Sequence, residues 1–137
     1  MPSSLSPTAR RRLEAAAKTA SRHAYAPYSR FRVGAAVRAG SGKVYSGCNV
    51  ENASYGLCNC AERTAIFTAL AAGETEITHV AVYTPTPTAT TPCGACRQVI
   101  NEFGPYASVI CVCDGSERIE TTLDALLPGA FGPGNLL

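Results

Sequence analysis

Three things are scarce in this sequence: charge, histidine and long apolar runs. Charged residues make up 16% of the chain and the formal net charge is +2 at pH 7, so nothing in the charge asks for a polyanionic partner. The longest basic run, Arg10-Arg11-Arg12, reads as the solvated face of a first helix rather than a nucleic-acid footprint. No stretch is long or apolar enough to span a bilayer. Residues 1–6 carry no apolar run resembling a signal-peptide core, so the expected location is the cytoplasm. His23 and His79 are the only histidines; neither has ligand spacing, and both read as structural or exposed.

What is present is an apolar fraction of 46% in 137 residues, enough for one compact domain spanning 1–137 with a real core. Seven cysteines accompany it. An odd number excludes a complete intramolecular disulfide framework. In a reducing compartment cysteines serve more often as metal ligands, nucleophiles or core fillers.

Ser6-Pro7 supplies a capping hydroxyl followed by proline at the first helical position, and Leu13, Ala16, Ala17 and Ala20 follow at helical spacing. A helix is therefore expected over 7–24. Residues 31–39 and 43–48 read as a hairpin around Gly40-Ser41-Gly42. An Asn- and Ser-rich loop over 49–59 leads into a helix over 60–72, stopped by Gly73. A strand is expected over 77–84, then a Thr/Pro-rich stretch over 84–92 that is too poor in donors for a central strand. A second core helix over 93–103 and a strand over 107–113 follow. Asp114-Gly115-Ser116 turns the chain back through 118–121, which the short connection makes antiparallel, and a short helix starts at 122. Two β-α-β steps behind a leading hairpin argue an α/β sandwich with a mixed sheet.

Three features of this pattern point to one site. Cys93-Gly94-Ala95-Cys96, preceded by Pro92, puts two sulfurs on the first turn of a helix, where backbone N–H groups and the helix dipole favour thiolates. Alone, such a pair is either redox-active or half of a zinc site. Cys60-Ala61-Glu62 also opens a helix, and successive helices of β-α-β units begin at one sheet edge, so Cys60 can join Cys93 and Cys96. Three thiolates suit tetrahedral Zn²⁺ and leave one position open. Glu62, two residues past a ligand, is placed to take a proton from a water activated there and pass it on. Cys-x-Glu followed by Pro-Cys-x-x-Cys is the three-cysteine form of a zinc-deaminase signature. Arg63, one turn after Cys60, could offset the charge of the thiolates by donating to sulfur, and Arg97 could do the same; each is otherwise a solvent-facing arginine.

On these and longer stretches the chain resembles the homotetrameric cytidine deaminases. The shared stretches are Pro27-Tyr28-Ser29-Arg30-Phe31-Arg32-Val33-Gly34-Ala35-Ala36, Gly47-Cys48-Asn49-Val50-Glu51-Asn52-Ala53-Ser54-Tyr55-Gly56, Cys60-Ala61-Glu62-Arg63-Thr64-Ala65 and Pro92-Cys93-Gly94-Ala95-Cys96-Arg97-Gln98-Val99, with Leu126-Leu127-Pro128-Gly129-Ala130-Phe131 near the end. The resemblance runs in order from Leu5 onward. It implies a three-layer α/β/α sandwich with a mixed five-stranded sheet and an antiparallel last strand. It also implies deamination of free cytidine and deoxycytidine to uridine and deoxyuridine plus ammonia, in pyrimidine salvage. Cys60, Cys93 and Cys96 would hold zinc and Glu62 would shuttle protons. Asn49 and Glu51 would bond the ribose, notably its 3′-hydroxyl, the Ala61 amide the pyrimidine carbonyl, and Phe31 would line the base pocket. Tyr55 and Phe131 would complete a neighbouring subunit's site in a homotetramer. A site built to bond hydroxyls discriminates strongly against ligands that lack them. The chain departs from the family in two places: the 84–91 run lacks the acidic residue expected after its strand, and the tail is short beyond Phe131.

Plainer readings stand beside these. Asn49, Glu51 and Asn52 are also ordinary turn residues, and Phe31 continues the alternation of Val33, Ala35 and Val37 as a core residue would. Cys111 and Cys113, two apart on one strand face, read as packing, as does Cys48. Cys58 could join Cys60, Cys93 and Cys96 in a closed four-thiolate structural zinc module, which would leave Glu62 without a role. A nucleic-acid deaminase is disfavoured by the weak charge and the short final hairpin, since the editing relatives resemble a version with a parallel last strand. A modified, antibiotic-type cytosine nucleoside is a further substrate candidate.

Overall fold

A computed structural model describes residues 4–137. The first half of the 1–6 stretch read above for a signal peptide lies outside the described residues. Helix α1 (Pro7–Ser21) starts as its sequence dictates: Ser6 caps it, its Oγ accepting from the Ala9 amide at 3.1 Å, and Pro7 opens the first turn. Such a cap contributes about 1 kcal/mol. The helix ends three residues earlier than expected. Ser21 Oγ turns back onto the Lys18 carbonyl at 2.6 Å, and the amides of Arg22, His23 and Ala24 each reach a carbonyl three residues back, tightening the last turn.

Five strands form one sheet: β1 (Gly34–Ala39), β2 (Val44–Cys48), β3 (Ile77–Tyr83), β4 (Ser108–Val112) and β5 (Ile119–Thr122). Their order is β2-β1-β3-β4-β5, with β3 and β4 parallel and every other pair antiparallel. The mixed five-stranded sheet and antiparallel last strand match expectation. Helices α2 (Ala61–Ala71) and α3 (Gly94–Phe103) cover one face, α1 the other, and a four-residue α4 (Leu123–Leu126) follows β5. The period-two alternation of the strands sorts the core into these layers. Ala35, Val37, Val80, Val82, Val109 and Cys111 pack toward α2 and α3 with Ile66 and Ile100. Ala36, Ala81 and Tyr83 meet Leu13 and Ala17 of α1. Small residues let α1 lie close: a Cβ on Gly34 would fall 1.8 Å from the Ala17 carbonyl oxygen.

Two details differ from the expected pattern. β1 begins at Gly34, so Phe31 lies outside the sheet and is 39% exposed, not part of the core. The cause is Asn49, whose Oδ1 accepts from the Val33 amide at 2.9 Å while its Nδ2 donates to the Phe31 carbonyl at 2.7 Å. Those bonds occupy the backbone groups a strand would pair. Cys113 falls just beyond β4 and does not share a strand face with buried Cys111; its Sγ lies 3.3 Å from the Glu117 carbonyl oxygen. No helix among the described residues is long and apolar enough to cross a membrane.

Candidate metal centre and substrate cavity

The N-termini of α2 and α3 meet beside the sheet, each capped by a cysteine in extended conformation, Cys60 for α2 and Cys93 for α3. Neither side chain caps its own helix, so both sulfurs are left to turn toward each other. Cys96, three residues into α3 from Cys93, is buried. The three Sγ atoms lie within 4.8 Å of one another, and those of Cys60 and Cys93 are 3.8 Å apart. Tetrahedral coordination with Zn–S bonds of about 2.3 Å sets sulfurs about 3.8 Å apart, so the donor set fits Zn²⁺ in type and spacing. Three protein ligands leave the fourth position open.

The surroundings favour a negative charge on Cys60. The Cys60 thiol is drawn down to about 5, first by hydrogen bonding from Cys96 and then by Arg63. Cys96, the donor to Cys60 and buried, is pushed up correspondingly. Arg63 Nη2 sits 3.4 Å from Cys60 Sγ, while its buried Nε has no partner among the described residues. Arg97, expected to do the same, points elsewhere. Its Nε donates to the Pro92 carbonyl at 2.8 Å, Nη1 to that of Leu126 at 2.9 Å and Nη2 to Thr91 Oγ1 at 2.9 Å. Its position after Cys96 puts it on the side of α3 that faces the loop and α4, where three oxygens compete for its fork.

Glu62 is 5% exposed beside this cluster, and burial pushes its carboxyl up to about 7, with a smaller push from Cys60. A carboxyl held near neutrality is suited to both accept and release a proton. It lies in the wall of a cavity of about 190 Å³ together with Cys60, Cys93 and Ala61. Phe31, Val33, Asn49 and Val82 form further wall, and Thr84, Thr90 and Thr91 the remainder. Among these lining residues only Glu62 and the two cysteines ionise. A larger cleft of about 360 Å³ along Lys18, Tyr83 and Arg118 holds no three-ligand cluster among the described residues.

The other sequence-expected residues fall into two groups. Phe31, Asn49 and Ala61 line the cavity, with Ala61 at the first helical position of α2, where amides lack intrahelical partners. Glu51, Tyr55 and Phe131 do not. Glu51 accepts from the Tyr28 amide at 3.0 Å, the Ser29 amide at 3.1 Å and the Ser29 hydroxyl. Those bonds, the hydroxyl's first, hold its carboxyl below the usual range. Tyr55 is 73% exposed and edge-to-face with Tyr28, ring centroids 6.0 Å apart. Phe131 is 59% exposed; its carbonyl accepts from Gln98 Nε2 at 2.8 Å. Cys58 stays out of the sulfur cluster: its Sγ accepts from the Asn52 amide at 3.3 Å. The wall residues Val33 and Val82 were not given a site role by the sequence; Thr84, Thr90 and Thr91 belong to the 84–91 run noted there as a departure from the family.

Three sulfurs closing on one point, with a buried carboxyl beside them and a cavity leading in, form a candidate metal centre. Comparison with known proteins gives the family. Residues 7–113 match the cytidine and deoxycytidylate deaminase zinc-binding region, and the chain belongs to that family. It is 44% identical over 135 residues to a cytidine deaminase of Sporosarcina psychrophila, covering 91% of this chain and 93% of that protein. To a cytidine deaminase of Halalkalibacterium halodurans it is 50% identical over 109 residues, 79% of this chain and 83% of the relative. The crystal structure of a cytidine deaminase from Burkholderia pseudomallei superposes with a TM-score of 0.85 at 52% identity, covering 88% of this chain and 98% of that one. Zinc is the metal of this family's matched region, in agreement with the sulfur geometry.

Substitution separates the three-sulfur centre from the four-sulfur alternative. Cys93→Ala is expected to abolish zinc binding and lower the unfolding temperature, because metal binding and folding are linked. Cys58→Ala is expected to retain one zinc per chain by elemental analysis. Loss of zinc in Cys58→Ala would reinstate the closed four-thiolate centre.

Proposed function

We propose that the protein is a zinc-dependent hydrolytic deaminase of free cytidine and deoxycytidine, converting each with one water to uridine or deoxyuridine and ammonia. The observation that carries this reading is Glu62: a buried carboxyl at the wall of a cavity, beside three convergent sulfurs and with no other carboxyl lining that cavity. Cytidine deaminases resembling this chain over most of their length support the same substrate.

Cys60, Cys93 and Cys96 hold the metal in this reading. Bound Zn²⁺ supplies Lewis acidity that makes water a nucleophile near neutral pH. Glu62 takes one proton from water and delivers it to the ring nitrogen as the water oxygen adds to the ring carbon, then takes the remaining hydroxyl proton and passes it to the departing amine, so that ammonia leaves neutral. Arg63 offsets the thiolate charge through Cys60. The Ala61 amide, at a helix N-terminus, donates to the pyrimidine carbonyl, and Phe31 flanks the base. Asn49 and Glu51 are assigned to the sugar hydroxyls. Both also pin the chain before β1, Asn49 at Phe31 and Val33, Glu51 at Tyr28 and Ser29. Sugar recognition and placement of the Phe31 wall are thus one construction. The cavity wall offers no lysine or arginine to a phosphate, which favours nucleosides over nucleotides.

Glu62→Gln should keep zinc and fold while lowering turnover by roughly 10²- to 10⁴-fold, the span typical of positioned acid–base groups. Wild type should convert cytidine and deoxycytidine, and convert cytosine, cytidine monophosphate and cytosine-containing RNA poorly. Near-normal turnover by zinc-replete Glu62→Gln, or efficient use of cytosine or the nucleotide, contradicts the proposal.

The same reading makes 1–137 a single domain acting in the cytoplasm as a homotetramer with shared sites. Tyr55 and Phe131 support it: both are aromatic, exposed and outside their own chain's cavity, and aromatics are favoured at interface cores. Sedimentation should give a tetramer. Mixing Glu62→Gln chains with Tyr55→Ala chains should recover activity above either parent. A monomer, or no recovery despite demonstrated subunit exchange, would sink the shared site.

A further inference from the structure

One wall of the cavity comes from residues 84–92, which belong to no helix or strand. They are held instead by the connection between β4 and β5. The Thr84 amide donates to the Val112 carbonyl at 3.1 Å and the Asp114 amide to the Thr86 carbonyl at 3.0 Å. Cys113 Sγ lies 3.5 Å from the Pro87 carbonyl oxygen, and a Cβ on Gly115 would fall 2.2 Å from that same oxygen. Last in the series, the Ala89 amide donates to Glu117 Oε1 at 2.8 Å. The anchor points advance together along both segments, so the parallel register that ends at Tyr83 and Val112 runs on beyond the strands.

Immediately after Ala89 come Thr90 and Thr91, which face the cavity, and then Pro92 and Cys93. Arg97 secures the far end at Thr91 and Pro92. Glu117 secures the near end, and it is the anchor next in sequence to the cavity wall. Pro92 restricts the torsions of Thr91 before it, so the short stretch facing the cavity is fixed at Ala89 on one side and at Thr91 on the other.

We propose that Glu117 is a positioning residue for the deamination, holding Thr90 and Thr91 against the bound nucleoside by accepting the Ala89 amide. The inference rests on the deaminase reading of the cavity. Glu117 is exposed and does not line the cavity, so its effect reaches substrate only through the loop. The carboxylate makes this a charge-assisted bond, stronger than a neutral acceptor would give.

The test compares zinc-loaded wild type with Glu117→Ala, Glu117→Gln and Gly115→Ala, measuring kcat and KM for cytidine, zinc content, and hydrogen exchange of peptides covering 84–92. Glu117→Ala should raise KM about tenfold with kcat within about twofold, speed exchange in those peptides, and leave zinc content unchanged. Glu117→Gln, whose amide oxygen still accepts, should restore most of both. Gly115→Ala should raise KM by pushing on Pro87 with Glu117 intact. Unchanged KM and exchange in Glu117→Ala would overturn the proposal, as would a Glu117→Gln protein as impaired as Glu117→Ala. Turnover of cytidine by wild type decides the deaminase reading by itself. Should that fail, exchange in the variants still decides whether Glu117 holds the loop.

Discussion

Bringing three sulfurs within 4.8 Å of one another places like charges together as soon as they ionise, and the surrounding structure is arranged around that constraint. Two helix N-termini point positive dipole ends at the cluster, Cys60 and Cys93 being their capping residues. Arg63 adds a full positive charge at Cys60. A divalent cation held by Cys60, Cys93 and Cys96 would complete the compensation, and the spacing of the sulfurs fits the zinc of this family's matched region. The sheet makes the meeting possible. With β1 next to β3 and both α2 and α3 on one face, two helices 33 residues apart in their starts begin at the same place.

Glu62 inherits its chemistry from the same arrangement. Its helix is capped by Cys60, so the carboxyl sits in the first turn two residues past that sulfur, where burial first and the charge of Cys60 second both favour the protonated form. In water such a group would be a spectator at neutral pH. Raised toward neutrality, it suits the two proton transfers that the proposed hydrolytic loss of an amine would demand. The cavity walls are then a matter of bracing. Asn49 and Glu51 fasten the chain carrying Phe31, Arg97 and Glu117 fasten the segment carrying Thr90 and Thr91, and neither stretch belongs to the sheet.

Much of this was legible in the sequence where spacing alone determines geometry. Cys93 and Cys96 share a first turn because helices have a fixed pitch, and Cys60 meets them because β-α-β units start their helices at one edge. The sheet followed from alternation and turn residues, down to the antiparallel β5. What the sequence hid were side chains that compete for backbone. Phe31 continues an alternating pattern, yet Asn49 takes the groups at Phe31 and Val33 that a strand would use, so the sheet starts three residues later. Ser21 does the same to the end of α1. Arg97 looks in the sequence like a second Arg63, but three oxygens from remote segments claim it. Cys113 escapes its strand, and Glu117 finds Ala89, through a loop-to-loop register that no periodicity reveals.

In the proposed deaminase, the three-sulfur centre loaded with zinc is what makes the cavity reactive toward cytidine. Zinc can be stripped with a chelator and returned in measured steps while bound metal and release of ammonia from cytidine are followed in parallel. The stripped protein should be inactive, and its turnover should rise in proportion to bound zinc and level off at one zinc per chain. Full turnover by the metal-free protein, or none from protein carrying a full complement of zinc, would contradict it.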